Sequence, residues 1–233
     1  MKESVSVVIP AYNEALRISP TLRRVDDYFN TRGGEYEIIV VDDGSTDKTA
    51  EIATRDAGKR TILLSMDHKG KGEATIAGVL AATKQWILTM DADLSTPIEE
   101  LEALLASGSS VAIASRALPH SNILLRQPRL REYGGKLINF FVRLLVLPGI
   151  FDTQCGFKLF RADAAKNIFA RQTIPGFGFD IEALTIARRL GYRMKEIPVR
   201  WTNDPRTKVR PLRDGLTILA DLVRIRFNEW KGT

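Results

Sequence analysis

Two carboxylates stand one residue apart where an apolar segment of the chain ends. The segment reads LTMDADLSTP from Leu88 to Pro97, and the two acids are Asp91 and Asp93. In an extended chain residues i and i+2 face the same side, so both side chains can point into one cavity. Hard oxygen ligands suit Mg²⁺ or Mn²⁺, which keep further positions for water and substrate phosphates. The pair alone is equally compatible with a turn whose carboxylates are solvated.

Polar clusters also follow two other apolar runs. They read PAYNE from Pro10 to Glu14 and DDGSTD from Asp42 to Asp47. The carboxyl ends of parallel strands share one edge of a sheet, so we expect these clusters to meet the aspartate pair there. Side chains of the second cluster could accept hydrogen bonds from a base and a ribose. Together the three polar strand ends favour a metal and nucleotide site over an isolated turn.

A basic, glycine-rich segment is a candidate for binding the phosphates of a donor. It reads HKGKG from His68 to Gly72 and precedes a predicted helix, so backbone N–H groups and Lys71 could hold an anion there. An ordinary loop is the alternative. The segment lacks the spacing of a P-loop, and PAYNE occupies the place where a dinucleotide-binding chain would carry Gly-x-Gly-x-x-Gly. A Rossmann dinucleotide site is therefore disfavoured.

Alternating strands and helices must position these residues. Short β-branched runs predict strands at 4–9, 37–41, 61–64, 86–90 and 111–115. Capping signals predict helices that begin at Ser19-Pro20, at Ser45 or Thr46, and at Thr96-Pro97. This alternation predicts an α/β fold with a doubly wound, mostly parallel sheet flanked by helices and a ligand crevice at the carboxyl ends of the strands.

The pattern changes beyond about residue 117. It predicts a long helix over 128–147, a mixed segment over 152–161, a helix over 180–190, a strand over 194–199 and a final helix. The run from Leu137 to Leu147 is apolar nearly all round and is either a core helix or a surface that receives an apolar chain. The final helix is amphipathic and basic, and either docks on the core or lies on an anionic membrane.

Composition limits the class of protein. The chain has 233 residues and is 44% hydrophobic, which fits one large folded domain. Its single cysteine, Cys155, excludes an internal disulfide and is expected to be a small buried hydrophobe, while two isolated histidines cannot build a His/Cys zinc cluster. Any metal site must be oxygen-rich.

A formal net charge of +6 suggests an anionic partner. No apolar run reaches the roughly 20 residues that a spanning helix needs.

Composition and motifs lead to two expectations, one about cellular location and one about nucleic-acid binding. No signal-peptide pattern opens the chain, so we expect a cytoplasmic protein, and a peripheral place at the cytoplasmic face of a membrane. A nucleic-acid-binding domain would explain the charge, but it leaves the carboxylate-ended strands without purpose, and no RRM, KH or zinc signature is present. The sequence does not indicate an oligomeric state.

The chain resembles glycosyltransferase family 2 in the order of its short motifs. The motifs VIPAYNE, VVDDGS, KGKG, DAD and ASR occur in the order of that family. A later segment, DTQCGFKLF from Asp152 to Phe160, is similar to the polyprenyl-phosphate branch, especially the dolichyl-phosphate glucosyltransferases and, less closely, the dolichyl-phosphate mannose synthases. The resemblance implies a single GT-A type domain over 1–233, with a Rossmann-like nucleotide-sugar half over 1–116 and an acceptor half over 117–233.

The resemblance also implies roles for individual residues. The base pocket would be formed by Pro10, Tyr12, Glu14, Val40 and Asp42, and the donor diphosphate would be held through the metal by Asp91, Ala92 and Asp93. Arg116 and Arg131 match arginines that engage the acceptor phosphate. Arg206 and Lys208 belong to a segment that corresponds to a loop covering the donor, although it reads DPRTK rather than the usual Gly-x-Ser-Lys.

The implied reaction is metal-dependent, inverting transfer of a hexose from a nucleotide-sugar donor to a polyprenyl or dolichyl phosphate, with UDP-glucose favoured. A phosphate acceptor has a second pKa of about 6, so it needs positioning more than deprotonation. We therefore expect structural roles for Asp180 and Glu182. Ser95 stands where similar mannose synthases commonly carry Gln, a departure that leaves its place in coordination open. The alternatives are a GDP-mannose-dependent mannose synthase and, from another class, a sugar-phosphate nucleotidyltransferase.

Overall fold

The computed structural model describes residues 2–206 and 211–231. The strands are β1 (Val5–Ala11), β2 (Tyr36–Asp43), β3 (Thr61–Met66), β4 (Trp86–Thr89), β5 (Val111–Ser115), β6 (Asn122–Leu125), β7 (Lys158–Arg161), β8 (Met194–Pro198) and β9 (Arg200–Thr202). The helices are α1 (Ile18–Arg32), α2 (Thr49–Arg55), α3 (Lys71–Ala81), α4 (Leu101–Leu105), α5 (Arg129–Leu145), α6 (Ala162–Phe169), α7 (Phe179–Arg189) and α8 (Pro211–Lys231).

A seven-stranded sheet organises the molecule, in the order β3-β2-β1-β4-β7-β5-β8. All neighbouring strands in it are parallel except β7, which runs antiparallel to both β4 and β5. Strands β6 and β9 form a separate parallel pair. The predicted α/β class and mostly parallel sheet flanked by helices are therefore confirmed.

Helices cover both faces of the sheet because its central strands are apolar on both sides. Residues of β1 alternate between the two core layers: Val8 packs in one layer, and Val7 and Ile9 pack in the other. One layer holds α3, α6 and α7, and the other holds α1. Gly78 of α3 lies so close to β1 that a Cβ atom there would meet Val8 at 2.4 Å.

The predicted helix starts were wrong by a few residues. Helix α1 begins at Ile18, which puts Ser19 and Pro20 inside its first turn. Helix α2 begins at Thr49, because Asp47 rather than Ser45 or Thr46 accepts the hydrogen bond of an N-terminal backbone N–H, from Thr49 at 2.9 Å. A 3₁₀ turn over Ile98–Glu100 precedes α4, and Thr96 makes no capping hydrogen bond to it. Local capping signals competed here with side-chain contacts from distant loops.

Helices α5 and α8 lie side by side on the layer that contains α3. Their inner positions are buried, for example Val142 on α5 and Leu222 on α8. Each helix nevertheless exposes an apolar stripe, and these two stripes are called the apolar face below. The face comprises Leu137, Phe140 and Leu144 of α5 and Leu216, Val223 and Phe227 of α8, which are 49–69% exposed. No helix in the described ranges is long and apolar enough to cross a bilayer.

Candidate functional site

The polar strand ends meet at one edge of the sheet, as expected from parallel strands. Strands β2, β1 and β4 are neighbours, so the residues that follow them form a row along this edge. The cleft beside the end of β4 is a cavity of about 270 Å³. Asp91, Asp93, Lys71 and Arg116 all line it. The structure thus brings together four predicted site residues that lie up to 45 positions apart in the chain.

Asp91 forms an ion pair with Lys71, whose Nζ lies 2.6 Å from Oδ1. Lys71 is the first residue of α3, so the helix start places the ammonium in the cleft. Burial alone would lower the pKa of Lys71, but Asp91 and Asp180 raise it above its ordinary value. Burial acts on Asp91 in the opposite sense, yet the ammonium of Lys71 holds the pKa of that carboxyl below its usual range. Both groups are therefore charged at neutral pH.

The pKa of Asp93 is shifted in the opposite direction from that of Asp91. Its Oδ1 accepts a hydrogen bond from the backbone N–H of Ser95 at 2.9 Å. Burial, together with the charge of Asp91, nevertheless raises the pKa of Asp93 above its ordinary value. A cation between the two carboxylates would remove this repulsion. The donor set therefore fits a divalent metal, which Asp91 and Asp93 would hold. Within residues 2–206 and 211–231 no group of three or more acidic, His or Cys side chains could hold a metal ion. Other oxygens, from a substrate or water, would have to complete the coordination.

Strand β7 brings a residue to the site that the sequence did not indicate. In the antiparallel register Thr89 pairs with Lys158, and two further steps along both strands place Gly156 opposite Asp91. The glycine leaves the space that the carboxylate of Asp91 occupies. Gly156 lies within the segment DTQCGFKLF, but its partner could be identified only after the strand pairing was known.

The ends of β1 and β2 carry the residues predicted to bind the base. The ring of Tyr12 stacks on that of His68, with centroids 4.1 Å apart. Asp42 is 5% exposed, and its Oδ1 accepts no hydrogen bond within the described part of the chain. An unsatisfied buried carboxylate oxygen is costly and can be satisfied by a ligand donor. Pro10 lies on β1 next to these residues, whereas the completely buried Val40 contributes no exposed surface to a base pocket.

Asp43, the neighbour of Asp42, shapes the glycine-rich segment. Its carboxylate accepts backbone hydrogen bonds from Lys69 at 2.8 Å and from Gly70 at 3.0 Å. Gly70 has φ +106°, a conformation that side chains rarely adopt, and a Cβ there would meet the carbonyl oxygen of Pro175 at 2.7 Å. The segment is therefore pinned between β2 and the loop before α7. This arrangement directs Lys71 into the cleft.

Arg17 joins the loop after β1 to the segment after β9. Its guanidinium donates to Glu14 at 2.9 Å, to Asp204 at 3.1 Å and to the carbonyl oxygen of Arg206. Asp204 in turn accepts from the backbone N–H of Arg206 at 2.8 Å and from its guanidinium at 2.6 Å. Glu14, predicted to border the base, and Arg206, predicted to lie in a loop that covers the donor, are thus connected through one buried arginine. Lys208 lies outside the described residues.

Arg116 is held by Asp152 at the end of β5. The carboxylate of Asp152, 1% exposed, accepts from Nε at 2.7 Å, from Nη2 at 2.8 Å and from the backbone N–H of Arg116 at 2.9 Å. Burial would raise the pKa of Asp152, but Arg116 holds it below the usual range. The guanidinium also lies over the ring of Trp201, at 5.4 Å from its centroid. Arg131 belongs to α5, and its side chain lies outside the described part of the structure.

The remaining ionisable residues near the cleft make structural contacts. Asp180 binds Nζ of the buried Lys158 at 2.5 Å. Glu182 accepts three hydrogen bonds, from the N–H and hydroxyl of Thr173 and from the N–H of Ile174, at 2.8–2.9 Å. Burial raises the pKa of the Cys155 thiol, which keeps it protonated. Asp180 and Glu182 are thus engaged in contacts within the protein, and their structural role stays a prediction, as does the absence of chemistry at Cys155.

Sequence comparison places the chain among known proteins. The family model described as glycosyl transferase family 2 matches residues 6–169. A dolichyl-phosphate beta-glucosyltransferase of Dictyostelium discoideum is 32% identical, over an alignment that covers 96% of this chain and 74% of that protein. Dolichyl-phosphate beta-glucosyltransferase ALG5C of Trichomonas vaginalis is 36% identical, with 94% and 69% covered. The human dolichyl-phosphate beta-glucosyltransferase is 31% identical, with 99% and 77% covered.

Solved structures share the fold at lower identity. The mannosyl-3-phosphoglycerate synthase of Rubrobacter xylanophilus superposes with a TM-score of 0.74 at 20% identity, over 99% of this chain and 75% of the other. A glucosyl-3-phosphoglycerate synthase of Mycobacterium tuberculosis, crystallised with Mn²⁺, UDP-glucose and phosphoglyceric acid, gives a TM-score of 0.69 at 22% identity, over 96% and 80%. The predicted GT-A type architecture is confirmed.

Proposed function

The chain belongs to glycosyl transferase family 2 and is a glycosyltransferase, and from that premise we propose that it transfers glucose from UDP-glucose to a polyprenyl phosphate of the dolichyl type. The observation that carries the proposal is the cleft at the end of β4, where Asp91, Asp93, Lys71 and Arg116 line one cavity. It combines paired carboxylates for a metal-bound diphosphate with cationic groups for a second phosphate. The three relatives described above, which are 31–36% identical, are dolichyl-phosphate beta-glucosyltransferases, which supports this acceptor.

The proposed donor-binding half of the chain comprises residues 1–116. The unsatisfied Oδ1 of Asp42 accepts the ring N–H of a uracil, and Tyr12, stacked on His68, borders the base. Arg17 keeps Glu14 and the Asp204–Arg206 segment together, so that the segment covers the nucleotide. These contacts exclude water from the donor and fix its orientation, which lowers the entropic cost of reaching the transition state.

Asp91 and Asp93 would hold Mg²⁺ or Mn²⁺ and, through it, the donor diphosphate. When bound, the cation would neutralise negative charge on the departing diphosphate. The pKa of Asp93 is raised, a shift that cation binding would reverse, and Lys71 keeps Asp91 ionised. Ala92 presents its carbonyl oxygen to the hydroxyl of Thr21 at 2.7 Å, which locks the backbone between the two ligands. The pair is therefore preorganised, and binding requires little rearrangement.

The acceptor half covers residues 117–233, with Arg116 at the boundary. Asp152 engages Nε and Nη2 of Arg116, and no described hydrogen bond uses Nη1, so that nitrogen is placed to donate to an acceptor phosphate. Arg131 is the proposed second phosphate-binding arginine. The acceptor is already ionised at neutral pH, so the site orients its oxygen for direct in-line attack instead of deprotonating it, and the product is β-linked.

The apolar face of α5 and α8 is the proposed contact with the membrane that carries the lipid acceptor. Gly134, Gly135 and Ile138 of α5 and Gly215 and Ile218 of α8 line the cleft, so the two helices connect the site with this face. A polyprenyl chain leaving the cleft between them would enter the bilayer directly. The formal net charge of +6 favours an anionic, cytoplasmic surface.

One incubation tests the proposal. The chain, UDP-glucose, Mn²⁺ and a short, detergent-soluble polyprenyl phosphate should release UDP and form a lipid-linked glucose that retains one phosphate. Release of glucose 1-phosphate in place of UDP would indicate nucleotidyl transfer, and no turnover with any donor would contradict a polyprenyl-phosphate acceptor. Running GDP-mannose in parallel separates the glucose and mannose alternatives. 3-Phosphoglycerate serves as a phosphorylated acceptor without a lipid chain, and transfer to it alone would also contradict the proposal.

A further inference from the structure

A second cavity, of about 450 Å³, lies between the carboxyl-terminal halves of α7 and α8. Its lining includes Thr185 and Arg189 of α7 and Arg224 and Ile225 of α8. It shares no lining residue with the cleft at the end of β4. No step of the proposed glucosyl transfer uses it.

The lining of this cavity is strongly cationic. Among the side chains that the structure describes, three arginines line it, Arg171, Arg189 and Arg224, and one carboxylate, that of Glu182. Glu182 is 4% exposed and already accepts three hydrogen bonds from Thr173 and Ile174, so backbone and hydroxyl donors satisfy it. Glu182 therefore does not balance the charges of Arg171 and Arg224 in the described part of the cavity.

Arg171 and Arg224 retain donors for a ligand. Nη1 of Arg171 donates a hydrogen bond to the carbonyl oxygen of Asn167 at 2.6 Å. This acceptor is neutral, so the charge of the Arg171 guanidinium stays uncompensated. Arg224 makes no hydrogen bond or ion pair to any side chain that the structure describes, and its charge acts on Asp221 only at longer range. Guanidinium groups match the geometry of phosphate oxygens, to which they donate two hydrogen bonds at once.

The position of the cavity indicates where its ligand comes from. Arg224 directly follows Val223 on α8, and Asn228, which also lines the cavity, directly follows Phe227. Val223 is 68% exposed and Phe227 is 49% exposed, and both belong to the apolar face. An anion bound in the cavity would therefore lie at the edge of the face that we assign to the membrane, at the level where lipid phosphates are found.

We propose that the cavity between α7 and α8 binds a phosphate group, supplied by the headgroup of an anionic phospholipid. A phosphate held there would fix the rotation of the enzyme on the bilayer and so aim the cleft at its lipid acceptor. The assignment of a lipid as the source of the phosphate depends on the proposed membrane contact, whereas the binding of phosphate does not.

The test uses the full chain with Arg171→Gln and Arg224→Gln made separately, since both side chains are on the surface and neither substitution leaves a buried charge. Arg23→Gln is the matched control, because Arg23 is 71% exposed on α1, in the other core layer. Binding of inorganic phosphate is measured by calorimetry. Binding to phosphatidylcholine vesicles, with and without phosphatidylglycerol, is measured by sedimentation. Thermal unfolding confirms that each variant is folded.

We expect each cavity variant to bind phosphate about tenfold more weakly than the control, the effect of losing one charged hydrogen-bond donor. Loss of the preference for phosphatidylglycerol in the same variants identifies the lipid headgroup, and an unchanged preference identifies a soluble phosphate compound as the ligand. Unchanged phosphate binding in both variants overturns the proposal, whatever the vesicles show. Transfer to the short polyprenyl phosphate should be unaffected, so failure of that reaction in the unsubstituted chain tests the proposed function separately.

Discussion

Gly156 and Asp91 face each other beyond the paired part of β4 and β7, and a Cβ atom on Gly156 would lie 2.3 Å from Oδ2 of Asp91. That distance is shorter than any stable contact, and the obstructing group is the carboxylate that we assign to the metal. An alanine at 156 would therefore have to displace it.

Gly156→Ala should lower kcat/KM by about a hundredfold, the cost of moving a catalytic group by roughly 1 Å. Steady-state transfer of glucose to the short polyprenyl phosphate measures it. Gly176→Ala is the control, since a Cβ there meets nothing within 4 Å. Equal activity of the two variants would mean that Asp91 does not need its present position.

Asp93→Asn and Asp91→Asn should separate metal binding from stability. Both should abolish metal-dependent turnover. Asp93→Asn should leave the free energy of unfolding unchanged or slightly raised, because it removes a carboxylate whose pKa is raised by burial and by Asp91. Asp91→Asn should lower it by about 1 kcal/mol, because Lys71 loses its partner in a pair that water partly screens. Urea unfolding measures both. Full activity of Asp93→Asn would remove Asp93 from the site.

Asp152→Asn should destabilise the protein by about 3–5 kcal/mol at neutral pH, because Arg116 would keep its charge without the buried acid. The pKa of Asp152 is lowered in the folded state, so its contribution is complete above the ordinary value of about 4 and is lost as the pH falls through the folded-state pKa. The difference between wild type and variant should therefore shrink in acid.

Asp67→Asn, a substitution on the exposed surface, is the control for this pH series. It should unfold like the wild type at every pH. A difference between Asp152→Asn and wild type that stays constant into acid would show that the hydrogen bonds of Asp152, and not its charge, hold Arg116.

Arg17→Gln should raise the KM for the nucleotide sugar by about tenfold, or ~1.4 kcal/mol, with a smaller change in kcat. The physical reason is that Arg17 holds Glu14, Asp204 and the carbonyl of Arg206 together over the donor. Arg23→Gln, an exposed change on α1, the helix that follows Arg17, should leave KM unaltered. A lowered kcat at constant KM would place the effect of Arg17 on the reacting groups.

Phe140→Ser combined with Leu144→Ser should reduce sedimentation with phospholipid vesicles at least tenfold, since each buried apolar side chain contributes about 1.5–3 kcal/mol. Both residues belong to the apolar face and are more than half exposed, so thermal stability should not fall. Leu80→Ser, on α3 and 44% exposed, is the control. Vesicle binding that survives the double substitution would place the membrane contact elsewhere.

The sequence alone determined the class of fold and the centre of the site. The five strands predicted before residue 116 all exist, because β-branched runs bounded by polar residues specify local extended structure. Asp91 and Asp93 both line one cavity, as their spacing predicted, but not for the predicted reason: β4 ends at Thr89, and Ala92 and Asp93 form a turn rather than an extended segment. Helix starts were less accurate, because the predicted caps Ser45 and Thr96 interact with Asn13 and Cys155, which are distant in sequence.

The tertiary structure decided which groups surround that centre. Strand β7 enters the sheet between β4 and β5 in the antiparallel sense, and it pairs Trp86 with Arg161, 75 positions later in the chain. No local pattern encodes such a pairing, yet it places Gly156 beside Asp91 and carries Asp152 to Arg116. The basic cavity and the apolar face likewise depend on how α8 packs between α5 and α7. Side chains that are distant in sequence converge only through the burial of the common core, and burial is a property of the whole chain.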